Sequence, residues 1–246
     1  MASGCFDVLA SEYDRTWTNS GAGRLQRNAT WHHILPLFSP SQTVLDLGCG
    51  TGEDAIALQA RGVRVDAIDA SPEMIRIARS RGVEAQHKRI EEVSLFKGGY
   101  DGLISNFGVL NCIDNLADLR APFARLVRTN GYLVLTLMSR CCLFETLHFL
   151  RNIQPSKAVR RWSGRSRAHS LNLDVFYPTC SKLRTSLEPH FRLISRTGIG
   201  LFVPPSYVDG TSTSSLITRS RIDSAVSHWP VLRAMADHQL FVFQRQ

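Results

Sequence analysis

The chain has 246 residues, 43% of them hydrophobic, and a formal net charge of +8. That is enough for one sizeable α/β domain, and the absence of any low-complexity tract excludes a disordered chain. The six cysteines, Cys5, Cys49, Cys112, Cys141, Cys142 and Cys180, show neither paired CxxC spacing nor histidine partners at ligand spacing, which speaks against a metal centre and a disulfide framework.

The N-terminal stretch MASGCFDVLASEYD carries acids and lacks the basic start and apolar core of a signal peptide. No window approaches the roughly 18 apolar residues of a membrane span, so the expectation is a soluble, cytoplasmic protein. Apolar runs of strand length then recur: VLDL (44–47), VRVDAI (63–68), YDGLIS (100–105) and YLVLTLM (132–138). Helical patterns, EDAIALQARG and SPEMIRIARSRG among them, separate these runs, and the alternation predicts a doubly wound, parallel sheet within a single domain over 1–246. Ser71, Pro72 and Glu73 read as an N-cap, a first-turn proline and a first-turn acid, while Gly82 and Gly131 sit where helices are expected to stop.

Between the first strand and the next helix stand Gly48, Gly50 and Gly52, at every second position. Glycines cost stability inside regular elements, so three here mark a place where backbone turns sharply or admits a ligand. In a doubly wound sheet that place, beyond the carboxyl end of a strand, is where ligands bind. Asp69 closes the second strand at the spacing from which a βαβ nucleotide site holds ribose hydroxyls with a carboxylate.

VLDLGCGTG and Asp69 together resemble the first motifs of the Rossmann-like S-adenosylmethionine-dependent methyltransferases. The GxGxxG spacing of NAD-dependent dehydrogenases is not met. The resemblance runs over about residues 6–138 and returns in FRLISRTGIG and HQLFVFQR, which look like the family's last antiparallel hairpin. It implies a mostly parallel seven-stranded sheet, S-adenosylmethionine as cofactor, and a set of cofactor contacts. Gly48, Cys49, Gly50 and Gly52 surround the methionine part, Asp46 orients its amino group through water, and Asp69 holds the ribose. Ala70 and Met74 lie beside adenine, although Met74 reads equally well as core. Arg89 stands where the family often has an acid facing the adenine amino group, leaving the Ile90 backbone or Glu91 as the replacement. NFGVLNCI (106–113) matches the segment facing the transferred methyl, with Asn106 and Phe107 along the methionine arm and Asn111 toward the substrate. Tyr13, with Trp17 beside it, is the aromatic expected to fold over the cofactor.

The same segment lacks the Pro-Pro-aromatic motif of enzymes that methylate nucleobase amines. His32, His33, His148 and His169 are available as bases, and no context selects one. Substrate choice is expected in insertions at 139–178 and 204–235, which form a helical cap; Leu143, Leu147 and Leu150, with Phe144 and Phe149, suit a lid helix ahead of a membrane-surface one, and Tyr207 and Trp229 offer aromatic walls. Arg151, Lys157, Arg160, Arg161, Arg165 and Arg167 form an acid-free run around Trp162, read first as a solvated face. A small-molecule methyltransferase leads. An RNA methyltransferase that uses 151–167, and a cofactor-binding protein without catalysis, are the alternatives.

Overall fold

The computed structural model describes residues 6–168, 172–207 and 212–246. The first strand, β1 (Thr43–Leu47), is apolar except for Thr43 and Asp46 and is buried from Val44 onward, as expected of a strand covered on both faces. It pairs in parallel with β2 (Arg64–Asp69) on one side and β4 (Tyr100–Ser105) on the other. With β3 (Glu84–His87), β5 (Val127–Met138), β8 (Phe191–Ile199) and β9 (His238–Arg245) the sheet has seven strands in the order β3-β2-β1-β4-β5-β9-β8. Strands β1 to β5 run parallel; β9 is antiparallel to both β5 and β8, which is the terminal hairpin expected from the sequence. The order reverses between β1 and β4, and the crevice at their carboxyl ends is the natural place for a ligand.

Each face of the sheet buries an apolar layer. On one, Phe123, Leu126 and Phe191 pack against Leu45, Leu103 and Phe243; on the other, Ile34, Leu58 and Ile75 pack against Val44, Ile104 and Val242. Helix α1 (Asp7–Tyr13) continues through a π-turn into α2 (Gly21–Ile34), and α3 (Glu53–Gln59) and α4 (Pro72–Ser80) follow the first two strands. The expected start of α4 is present: Ser71 Oγ accepts from the Met74 amide at 3.2 Å, and Pro72 opens the first turn. Gly82 follows the end of α4 at φ +83°. Gly131 differs from expectation. The helix before it, α5 (Arg120–Leu126), ends five positions earlier, and Gly131 lies inside β5, where the pairing with β4 shifts register between Tyr100 and Gly102. The left-handed residue there is Asn130, at φ +65°.

After β5 come α6 (Leu143–Arg151), α7 (Pro155–Ala158) and a separate antiparallel hairpin of β6 (Arg165–Ala168) and β7 (Leu173–Phe176). Helix α8 (Cys180–Leu187) leads into β8, and α9 (Thr213–Val226) and α10 (Pro230–Ala234) precede β9. Among the described residues no helix is long and apolar enough to cross a membrane.

Candidate active site

A cavity of about 400 Å³ opens at the carboxyl ends of β1, β2, β4 and β5, within the size range of small-molecule sites. Its floor is the glycine turn. Gly48 and Cys49 donate their amides to Ile68 O at 2.8 and 2.9 Å, which ties the end of β1 to β2. Gly50, at φ +54°, would point an added Cβ into open space, so the absent side chain leaves room for a ligand. Gly48 answers a different need: its Cβ would meet Val109 Cγ1 at 2.4 Å, so the bare backbone lets the loop after β4 approach. Gly52, at φ +90°, faces Val83 and Ala78 and serves the packing of α3 on α4; it does not line the cavity.

Asp69 closes one side. Its Oδ1 accepts from the Ser71 amide at 2.8 Å and its Oδ2 from the Gly50 amide at 2.9 Å. Burial raises its pKa, and these amides, which favour the charged form, oppose the shift. Asp46, two positions before Gly48, is 1% exposed and does not itself line the cavity. Burial, with Asp54 next, pushes its carboxyl well above the ordinary range, and its Oδ2 has no hydrogen-bond partner.

Two donors share that condition. Asn106 accepts at Oδ1 from Thr136 Oγ1 at 2.6 Å, which leaves its buried Nδ2 unsatisfied. Arg27, on α2, pairs with Asp54 at 2.8 Å, and its buried Nε has no partner. Its guanidinium lies 4.7 Å from the Trp17 ring centroid and 4.9 Å from that of Phe107. Phe107 is held at φ +55°, a conformation that costs a non-glycine residue about 1–3 kcal/mol and that this cage retains. One acceptor and two donors, orphaned around one cavity, match the ammonium and carboxylate of an amino-acid group.

The N-terminal segment covers the turn. Thr51 Oγ1 donates to Asp14 Oδ1 at 2.8 Å, Arg81 pairs with Asp14 and, at 2.9 Å, with Glu53, and Ser71 Oγ donates to Asp7. This brings Phe6 and Tyr13 to the cavity wall, where burial pushes the Tyr13 hydroxyl up to about 12. Trp17 stays behind that wall, its ring 5.7 Å from Tyr13 and 4.5 Å from Phe107. Ala70, Met74, Lys88 and Ile90 complete the side next to Asp69.

Ten of the residues expected at a cofactor therefore lie on one cavity: Tyr13, Gly48, Cys49, Gly50, Asp69, Ala70, Met74, Ile90, Asn106 and Phe107. Four do not line it. Besides Asp46 and Gly52, Glu91 turns away to Arg89 at 3.9 Å, and Asn111 is fully buried as a tie between segments. Asn111 donates to Phe176 O at 2.6 Å and accepts from the Met138 amide at 2.8 Å, so its side chain has no free group for a substrate.

The opposite wall was not foreseen in residue detail. It consists of Val109, Cys112 and Met138 with Ser166, Arg167, Ala168, Leu173, Val175 and Tyr177 of the β6–β7 hairpin, and Arg160 at its edge. Ser166 Oγ and Tyr177 Oη are hydrogen-bonded at 2.9 Å. None of the described histidines lines the cavity; His169 lies outside the described residues. Tyr207 and Trp229 do not line it either: Tyr207 donates its hydroxyl to Glu145, and Trp229 precedes α10. The missed Arg27 and Asp54 gave no signal, because a helix surface and a helix first turn are where charged residues ordinarily stand.

The basic run is largely neutralised. Arg161 is 4% exposed and sits between Glu145 and Asp237, the latter at 3.0 Å. Burial, the largest single influence, would raise both carboxyls, but Arg161, Arg160 and Tyr207 together outweigh it at Glu145, and His238 and Arg161 together outweigh it at Asp237, so both lie below the ordinary range. Cys142 completes a group of ligand atoms within 4.8 Å, and the cation those carboxylates hold is Arg161. Arg160 pairs with Glu145 at 2.8 Å, and Arg165 and Arg167 pair with Asp174 at 2.9 and 3.4 Å.

Residues 44–131 match a family model described as a methyltransferase domain. A demethylmenaquinone methyltransferase of Clavibacter sepedonicus is 31% identical over 193 residues, covering 76% of this chain and 70% of its own. A malonyl-[acyl-carrier protein] O-methyltransferase of Serratia marcescens is 26% identical over 233 residues, 92% of this chain and 86% of its own. The structure of an S-adenosylmethionine-dependent methyltransferase from Mesorhizobium loti superposes with a TM-score of 0.62 at 13% identity, over 93% of this chain and 99% of that one. The chain belongs to the Rossmann-like S-adenosylmethionine-dependent methyltransferases, and its cofactor is S-adenosylmethionine.

Proposed function

We infer that this methyltransferase acts on a small acceptor with an apolar body and a hydroxyl or similar polar group, bound between the β6–β7 hairpin and the loop after β4. One observation carries the reading: the wall facing the cofactor side is apolar at Val109, Met138, Ala168, Leu173 and Val175, and the Ser166–Tyr177 hydroxyl pair stands among these side chains. The relative from Clavibacter sepedonicus is named a demethylmenaquinone methyltransferase and that from Serratia marcescens a malonyl-[acyl-carrier protein] O-methyltransferase; neither name is that of a nucleic-acid methyltransferase, which supports the reading.

S-adenosylmethionine supplies an electrophilic methyl group on a sulfonium centre. The chain's part is to align and to exclude water. Asp69 would take the ribose hydroxyls with the lone pairs that its two amide contacts leave. Asp46, through water, would take the ammonium; Asn106 Nδ2 and Arg27 Nε would meet the carboxylate. Tyr13 and Phe6 close the site from above. Ser166 and Tyr177 would orient the acceptor's polar group, one hydroxyl donating while the other accepts.

The reading is tested by methyl transfer from labelled S-adenosylmethionine to a panel of hydroxylated apolar acceptors and to RNA. The expected result is transfer to the former. Tyr177→Phe is expected to lower kcat/KM by about twofold to tenfold, the range of one neutral hydrogen bond, with cofactor affinity unchanged. Label appearing in RNA would overturn it.

A further inference from the structure

The site uses the inner wall of the β6–β7 hairpin and leaves the neighbouring α6–α7 pair unexplained. Between Glu145 and Asp174 the sequence contains no acid. Along that stretch Leu147, Leu150, Ile153, Val159 and Trp162 are all exposed. Single exposed aliphatics are ordinary on a protein surface; a succession of them ending in a tryptophan and interleaved with cations is the composition of an interfacial segment.

Ile153 is the sharpest case. It stands just after the α6 cap at φ +56°, where glycine or asparagine is the usual occupant, and it is 89% exposed. A β-branched side chain in the left-handed region strains the backbone. At that exposure no internal packing offsets the strain. Arg151 and Lys157 flank it, and neither takes part in the ion pairs that Arg160, Arg165 and Arg167 form with Glu145 and Asp174.

We propose that the α6–α7 pair docks this chain on an anionic lipid surface, with Leu147, Leu150, Ile153 and Trp162 entering the headgroup region and Arg151 and Lys157 meeting lipid phosphates. Charge complementarity selects this occupant. A nucleic acid would accept the cations but leave the aliphatic side chains in water, and a second copy of the same acid-free face would bring like charges together. Of the cavity wall, Arg160 lies within this patch and Ser166 and Arg167 follow it closely in the chain, so docking places the cavity next to the bilayer. An apolar acceptor would then enter from the lipid, a consequence that rests on the function proposed above.

Co-sedimentation of the full chain with phosphatidylcholine vesicles, with and without phosphatidylserine, tests the docking. The expected result is binding only to the anionic vesicles, weakened by salt. Arg151→Gln with Lys157→Gln should reduce partitioning about fivefold per charge. Ile153→Asn should reduce it about tenfold, the loss of a few buried methylenes, while leaving the thermal midpoint equal or higher because the backbone strain is relieved. Three results would overturn the proposal: equal or absent binding to both vesicles, self-association that Ile153→Asn abolishes, or RNA binding that the charge variants lose and Ile153→Asn keeps. Calorimetry with S-adenosylmethionine separates the readings, since vesicle binding lost with cofactor affinity intact removes the docking alone.

Discussion

The Gly50 amide donates to Asp69 Oδ2 at 2.9 Å, so the acid that ends β2 holds the turn that ends β1. The two motifs most legible in the sequence are therefore one structural unit. With the cofactor held as proposed, Asp69→Ala would remove the ribose contact, and it removes the anchor of the glycine turn. It is expected to weaken S-adenosylmethionine binding by about 1.5–3 kcal/mol, the scale of a charge-assisted hydrogen bond. Calorimetry showing less than a twofold loss would make Asp69 a bystander.

Gly48 and Gly50 separate a packing glycine from a binding one. Gly50→Ala places a methyl in the cavity at a left-handed position, at a stability cost of about 1–2 kcal/mol. The fold should persist, with cofactor affinity down at least tenfold. Gly48→Ala drives a methyl into Val109 and should lower the urea midpoint further than Gly50→Ala does. Equal midpoints with equal binding losses would contradict this division.

With the ammonium placed near Asp46 as proposed, the raised pKa of that carboxyl would link cofactor binding to protons. A carboxyl whose folded value is raised stabilises the free protein below its unfolded value, near 3.9, and that contribution is lost as pH rises through the folded value. An ammonium brought near it favours the ionised form, so binding should release a proton, and affinity should rise with pH up to the raised value. Calorimetric enthalpies should then depend on the buffer's ionisation enthalpy in wild type and not in Asp46→Asn. Buffer-independent wild-type enthalpies across that window would exclude Asp46 from the site.

Arg161 and Arg165 are near neighbours in one basic run and should behave as different kinds of residue. Arg161→Met leaves Asp237 buried without its guanidinium partner and Glu145 with Arg160 alone, and should cost about 3–5 kcal/mol of stability. Arg165→Gln, whose side chain is exposed, should change stability by about 1 kcal/mol or less. Because the Glu145 and Asp237 carboxyls are held low, their contribution is complete above the unfolded carboxylate values and is lost only as pH falls below about 4. Acid titration of wild type and Asp237→Asn should therefore diverge above that pH and converge below it.

The strands β1, β2, β4 and β5, the glycine turn and the cap at Ser71 were legible because each rests on local patterning: apolar runs, a capping side chain, closely spaced glycines; the terminal hairpin was legible through the resemblance to the family. Gly131 misled because a glycine inside a register-shifted strand looks the same as one that ends a helix. Asn111 misled because a polar residue in a site segment looks alike whether it faces substrate or bridges Met138 and Phe176. The basic run read as a solvated face because pairing with Glu145, Asp174 and Asp237 is long-range and leaves no mark in local charge pattern. Arg27 reaches the cavity only through tertiary packing between Trp17 and Phe107.

The most direct measurement is a crystal structure of the chain with S-adenosylhomocysteine. The expected result is ribose hydroxyls on Asp69, the amino group linked to Asp46 through water, the carboxylate at Asn106 Nδ2 and Arg27 Nε, and the sulfur facing Val109 and the Ser166–Tyr177 pair. A bound adenosyl group away from Asp69, with Asp46 Oδ2 and Asn106 Nδ2 still unpartnered, would contradict it.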